Sequence, residues 1–193
     1  MSKYDKPEMV CIALTTFINE IRGQSAAIRA YDNVFQDNNT SNVFLKRAYE
    51  SIWLELLSET ARIFDKAYTG NNENCTFLRL RALCIKEQYS SLFPSGENDS
   101  LVRSLDEVLD LYSQLPIGKS RNKQLAHHDM KQIFEGECIA ISLDQVEKLI
   151  STATEVLSKI YTRFCFGFFE VSFPAYDLLV KQFENALRKL VCV

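Results

Sequence analysis

Apolar residues recur at three- and four-residue steps through nearly the whole chain, and that spacing confines it to helices. The first run carries Val10, Leu14, Phe17, Ile18, Ile21, Ile28, Tyr31 and Phe35 on one stripe. D-N-N-T-S-N, at residues 37–42, breaks it with turn and cap formers. A second run carries Tyr49, Ile52, Trp53, Leu56, Leu57, Ile63, Phe64 and Ala67, and T-G-N-N-E-N-C ends it. A third helix is expected from about Thr76 to Phe93, closed by F-P-S-G-E-N-D. A fourth, capped by Asp99, runs through Leu101, Leu105, Val108, Tyr112 and Leu115 until Pro116 and Gly118 interrupt it. A short helix should follow from near Ser120.

S-L-D-Q, at Ser142 to Gln145, is a capping box for a long helix that reaches Phe164. Pro174 can open the last helix, which carries Tyr176, Leu179, Phe183, Leu187 and Leu190. Two-residue alternation is absent, so no sheet of consequence is expected. Together these signals predict an all-α, up-and-down bundle of long helices with additional short helices, in one domain over residues 1–193.

A hydrophobic share of 47% provides ample core material for such a bundle. A net charge of -3 provides no bulk attraction to nucleic acid, so any such binding needs a local basic patch. The six cysteines are scattered without C-x-x-C or metal-like spacing. Most sit at apolar-periodic positions, where a thiol behaves as a small buried hydrophobe, and they read as reduced thiols of a cytoplasmic protein. M-V-C-I-A-L-T-T-F-I meets polar residues too soon for a signal peptide. F-C-F-G-F-F-E-V-S-F is too short to span a bilayer, so no membrane partner is expected.

K-S-R-N-K-Q-L-A-H-H-D, from Lys119 to Asp129, contains both histidines of the chain and a dense basic patch of Lys119, Arg121 and Lys123. G-K-S at Gly118 is no phosphate loop, because position 113 is serine and the lead-in is helical. The adjacent histidines do not supply the Glu-x-x-His pairs of a di-iron bundle, and no metal or cofactor is expected. A Ser/Cys–His nucleophile stays open only because triad partners can be distant in sequence. An arginine fork suits phosphate oxygens, and a histidine moves protons near neutral pH. Together they are a minimal kit for cutting RNA without metal. Composition alone favours the plainer alternative, a solvated polar face after a Pro-Gly break.

R-N-K-Q-L-A-H-H-D resembles the signature of the HEPN superfamily, in which an Arg and a polar residue precede a His by a short interval. Here Arg121 and Asn122 lead to His127. The fuller R-N-K-x-x-A-H-x-D form looks like the AbiU-type branch, linked to bacterial abortive infection against phage. W-L-E-L-L-S-E-T-A-R-I-F-D and I-S-L-D-Q-V-E-K-L-I-S-T-A extend the likeness to flanking helices.

The resemblance implies a helical bundle that dimerises around the motif, and for many members metal-independent endoribonuclease activity. It would give Arg121 the phosphate and the transition-state charge, Asn122 the shaping of the site, and His127 the proton transfer. His128 and Asp129 are accessory candidates, and Lys119 and Lys123 would hold RNA phosphate. A two-fold interface would bring two clusters together and supply both acid and base. The implied partners are RNA, a second copy of the chain, and an antitoxin or defence-system protein.

Two features need their own accounts. Some family toxins carry a tyrosine two residues after the His, where an antitoxin modifies it; here Asp129 stands there, so that regulation is not expected. On a straight helix His127 lies about 120° around from Arg121 and His128 only about 20°. Family register nevertheless selects His127, because Arg121 should fall in the first turn, where regular geometry is least dependable. The other readings of the chain are a non-catalytic HEPN module that binds RNA or a protein, and a purely structural bundle. Trp53 is expected in the core, Asp65 at a helix end, and the aromatic stretch from Phe164 to Phe173 in the core or a dimer interface.

Overall fold

A computed structural model describes residues 6–35, 42–69, 72–86, 97–117, 141–164 and 173–191. Among them six helices form an all-α bundle: α1 (Pro7–Phe35), α2 (Val43–Phe64), α3 (Phe77–Ile85), α4 (Glu97–Gln114), α5 (Leu143–Phe164) and α6 (Tyr176–Val191). The one described pairing of strands is a two-residue antiparallel contact, with Tyr68 opposite Glu73 and Thr69 opposite Asn72. It marks the T-G-N-N-E-N-C break. Asn74 closes that turn, donating from Nδ2 to the Lys66 carbonyl and to Thr69 Oγ1, each at 2.8 Å.

α1 is the axis of the bundle and packs on α2, α3, α5 and α6, while α4 bridges α3 and α5. Its apolar stripe supplies Val10, Leu14, Ile18, Ile21 and Ile28 to the main core. Those side chains meet Leu56, Leu57 and Ile63 of α2, Phe77, Leu80 and Leu83 of α3, Leu105 and Val108 of α4, and Leu149, Leu157 and Ile160 of α5. Phe64 stacks between Phe77 and Tyr112, with ring centroids 5.1 and 4.6 Å away. Where α6 crosses α1 the contact changes character. Ala26 and Ala30 present a flat surface there, and Val180 seats against it. Small side chains let two helix backbones approach closely, which is how α6 docks with so few large residues.

Cap chemistry sets several boundaries. Asn42 accepts from the Phe44 and Leu45 amides at 3.0 and 3.2 Å and starts α2. Thr76 accepts from the Arg79 amide at 3.2 Å and starts α3. The expected capping box at α5 forms reciprocally: Ser142 Oγ accepts from the Gln145 amide at 3.3 Å, and Gln145 Oε1 accepts from the Ser142 amide at 2.9 Å. Ser142→Ala should therefore lower stability by about 1 kcal/mol. Thermal unfolding followed by circular dichroism checks this, and an unchanged midpoint would assign the box no energetic role. α6 opens directly after Pro174, with the Ala175 carbonyl accepting the first helical amides.

Several expected boundaries move. α3 ends at Ile85, not Phe93, and Lys86 turns extended with ψ 132°. Leu83 and Cys84 are inside, whereas Ile85 is half exposed and Lys86 exposed, so the last described turn holds little apolar surface to carry the helix further. α2 stops at Phe64, before Ala67, and Asp65 is its C-cap, so the acid in R-I-F-D is a helix end as expected. α4 starts at Glu97, and Asp99 lies inside the helix instead of capping it. The short helix expected from Ser120 lies outside the described residues.

Trp53 packs against the core from a partly buried position, in keeping with a structural role. Cys11, Cys75 and Cys84 are thiols not joined in disulfides; the other three cysteines lie outside the described residues. Burial pushes the Cys84 thiol up to about 12. At pH 8 the folded protein should thus leave Cys84 unmodified by iodoacetamide, and denaturant should release it. Peptide mass spectrometry reads the site, and equal labelling before and after unfolding would contradict its burial. No described helix is long and apolar enough to cross a membrane.

Candidate functional site

Lys119, Arg121, Asn122, Lys123, His127, His128 and Asp129 all lie outside the described residues. The described chain defines what stands on either side of them. After Gln114 the Leu115 amide still bonds the Tyr112 carbonyl at 3.0 Å, and Ile117 is fully buried. Beyond the segment, Ile141 packs on the core and Ser142 caps α5. The motif is therefore strung between two secured helices that themselves pack together.

The first turns of α5 carry a second polar constellation, which the sequence reading did not single out. Arg29 of α1 reaches across to Asp144 and Glu147. Its Nε donates to Glu147 Oε1 at 3.2 Å and its Nη2 to Glu147 Oε2 at 2.6 Å. This fork-on-carboxylate geometry holds the guanidinium well above its ordinary range, through hydrogen bonding to Glu147 against the opposing effect of burial. Tyr176 of α6 donates to the same Glu147 Oε1. Ser25 Oγ lies 2.8 Å from Tyr176 Oη and 3.2 Å from Glu147 Oε1. One carboxylate thus ties three helices together.

The protonation states follow from the surroundings. Burial first, then the Glu147 hydrogen bond, raises the Tyr176 phenol, so it stays protonated and donates. Ser25 is 3% exposed and has one proton to place on Tyr176 or Glu147. A carboxylate saturated by donors, a neutral phenol and a buried hydroxyl make a poor reaction centre and a good clamp. Two polar stripes at helical spacing carry the signal for it: Arg22, Ser25, Arg29 on α1, and Asp144, Glu147, Ser151, Thr154 on α5. A polar row running beside an apolar stripe on each of two helices marks a facing pair.

Beside the clamp, α1, α5 and α6 enclose a pocket of about 440 Å³. Arg22 stands in its wall, donating from Nη2 to the Pro174 carbonyl at 2.9 Å, with its guanidinium 5.3 Å from the Phe173 ring centroid. Phe173 is thus part of the α1–α6 junction, packed against the core, while residues 165–172 lie outside the described residues.

The family model HEPN_AbiU2, described as AbiU2, matches residues 12–190, a span that contains the whole 119–129 motif. No curated protein and no solved structure matches the chain.

Proposed function

Because the chain belongs to the AbiU2 family of HEPN domains, we propose that it is a metal-independent endoribonuclease of the abortive-infection type, acting as a homodimer in the cytoplasm through one HEPN-like domain over residues 1–193. The observation that carries the reading is the intact R-N-x-x-x-x-H motif, Arg121 to His127, inside the matched span.

The chemistry follows from those side chains. His127 takes the proton of a ribose 2′-hydroxyl, whose oxygen attacks the adjacent phosphorus. The bond to the 5′ oxygen breaks, and that oxygen takes a proton from the acid of the second cluster. Arg121 stabilises the charge on the phosphorane, with Asn122 shaping the site and Lys119 and Lys123 holding flanking phosphates. The products are a 2′,3′-cyclic phosphate and a 5′-hydroxyl. No cofactor enters. An antitoxin or defence-system protein is the expected cellular partner.

Incubating the protein with RNA in EDTA tests this. Cleavage with cyclic-phosphate ends is the expected result. Intact RNA, with RNA or a protein still bound, would replace the enzyme by a binding module. Mass in solution tests the dimer, and a strict monomer would remove the paired acid and base.

A further inference from the structure

Arg22 and Arg29 stand seven residues apart on the same face of α1, yet they are neutralised differently. Arg29 is engaged by two carboxylates. Arg22 has only a backbone carbonyl and an aromatic face, and among the described residues no carboxylate pairs with it. Burial lowers its affinity for a proton, the mark of a cation short of compensation. A guanidinium so placed in a pocket wall, with donors to spare, is built to receive an anion.

The rest of the pocket narrows the ligand. Lys148 lines it from α5, exposed and with no acidic partner among the described residues. Asp144 and Glu147 also line it; Arg29 engages both and offsets one of their two charges, and Asp144 is left largely in solvent. Ser151 and Tyr176 bring hydroxyls, and Glu155 sits exposed where a ligand hydroxyl could donate to it. The volume of about 440 Å³ lies in the range of small-molecule sites. We propose that this pocket is a binding site for a small polyhydroxylated anion, its oxyanion held by Arg22 and Lys148 and its hydroxyls by the α5 wall. None of the lining residues belongs to the 119–129 motif, and the proposal stands whether or not the chain cleaves RNA.

Titration calorimetry on the full chain tests it with ribose 5-phosphate, ribonate and ribose, one sugar skeleton ending in phosphate, carboxylate or no charge. An anion should bind at least tenfold more tightly than ribose. Binding of the phosphate alone identifies the natural oxyanion as phosphate, of ribonate alone as carboxylate, and of both as a site that reads charge. R22A and K148A should each weaken the bound anion about tenfold, and R22K less than R22A. K148A changes an exposed side chain, so it decides the matter if R22A does not fold. Anions bound no better than ribose, or undiminished by K148A and by a folded R22A, would overturn the proposal.

Discussion

Arg121→Ala should lower the rate of RNA cleavage by about 10²–10³-fold, the usual cost of removing one preorganised donor to transition-state charge. His127→Ala should lower it by about 10²–10⁴-fold, the usual worth of a positioned proton-transfer group. His128→Ala should change it little. Each rate is measured in EDTA with binding to a non-cleavable RNA followed alongside, so that loss of chemistry is separated from loss of affinity. The motif at Arg121 to His127 motivates the pairing. A reversed order, with His128→Ala the damaging change, would move the proton transfer to the adjacent imidazole, as straight-helix geometry prefers. Full activity in both Arg121→Ala and His127→Ala would sink the ribonuclease reading.

Glu147→Ala should be the most damaging change to stability among the polar residues described. It removes the acceptor shared by Arg29, Tyr176 and Ser25 and leaves a partly buried guanidinium short of a partner. Breaking a buried pair from one side costs about 3–5 kcal/mol. Glu147 and Arg29 retain 23% and 30% side-chain exposure, so water replaces part of the loss and about 2–4 kcal/mol is expected. For a chain of this length that lowers the melting temperature by roughly 5–15 °C. Replacing both partners, as in Arg29→Met with Glu147→Met, should recover part of the deficit, because no half-buried charge is then left unpaired and Asp144, which also loses Arg29, is 79% exposed and solvated. A Glu147→Ala protein that melts with wild type would show the clamp to be decorative.

Helices were legible in the sequence because their apolar faces are long and regular. Leu14, Ile18 and Ile21 in α1, and Leu149, Val156 and Ile160 in α5, repeat often enough to fix type and face together. Ends were legible where a side chain closes them, as at Asn42 and Ser142, and less so where burial decides, as at Ile85. Pattern along one helix cannot say how far a partner helix extends over it. The clamp escaped for a related reason. Arg29 and Glu147 are 118 residues apart, and nothing in either neighbourhood names the other. Motif residues were found by spacing and family likeness, and those routes need no packing. Lys119 to Asp129 nevertheless lie outside the described residues, so their roles rest on chemistry and family membership.

The place of α1 at the axis of the bundle has a consequence for synthesis. It is made before the other described helices, yet its contacts with Pro174 and Tyr176 bridge 152 and 151 residues. Ala26 and Ala30 have no cover until α6 leaves the ribosome, and Arg29 lacks its Asp144 and Glu147 partners until α5 does. Contacts this distant in sequence close late and slowly. A ribosome-bound chain that has already exposed Arg121 and His127 therefore still lacks the helices that seal its axis. The axis of the bundle is therefore sealed only when the last described helix has been released.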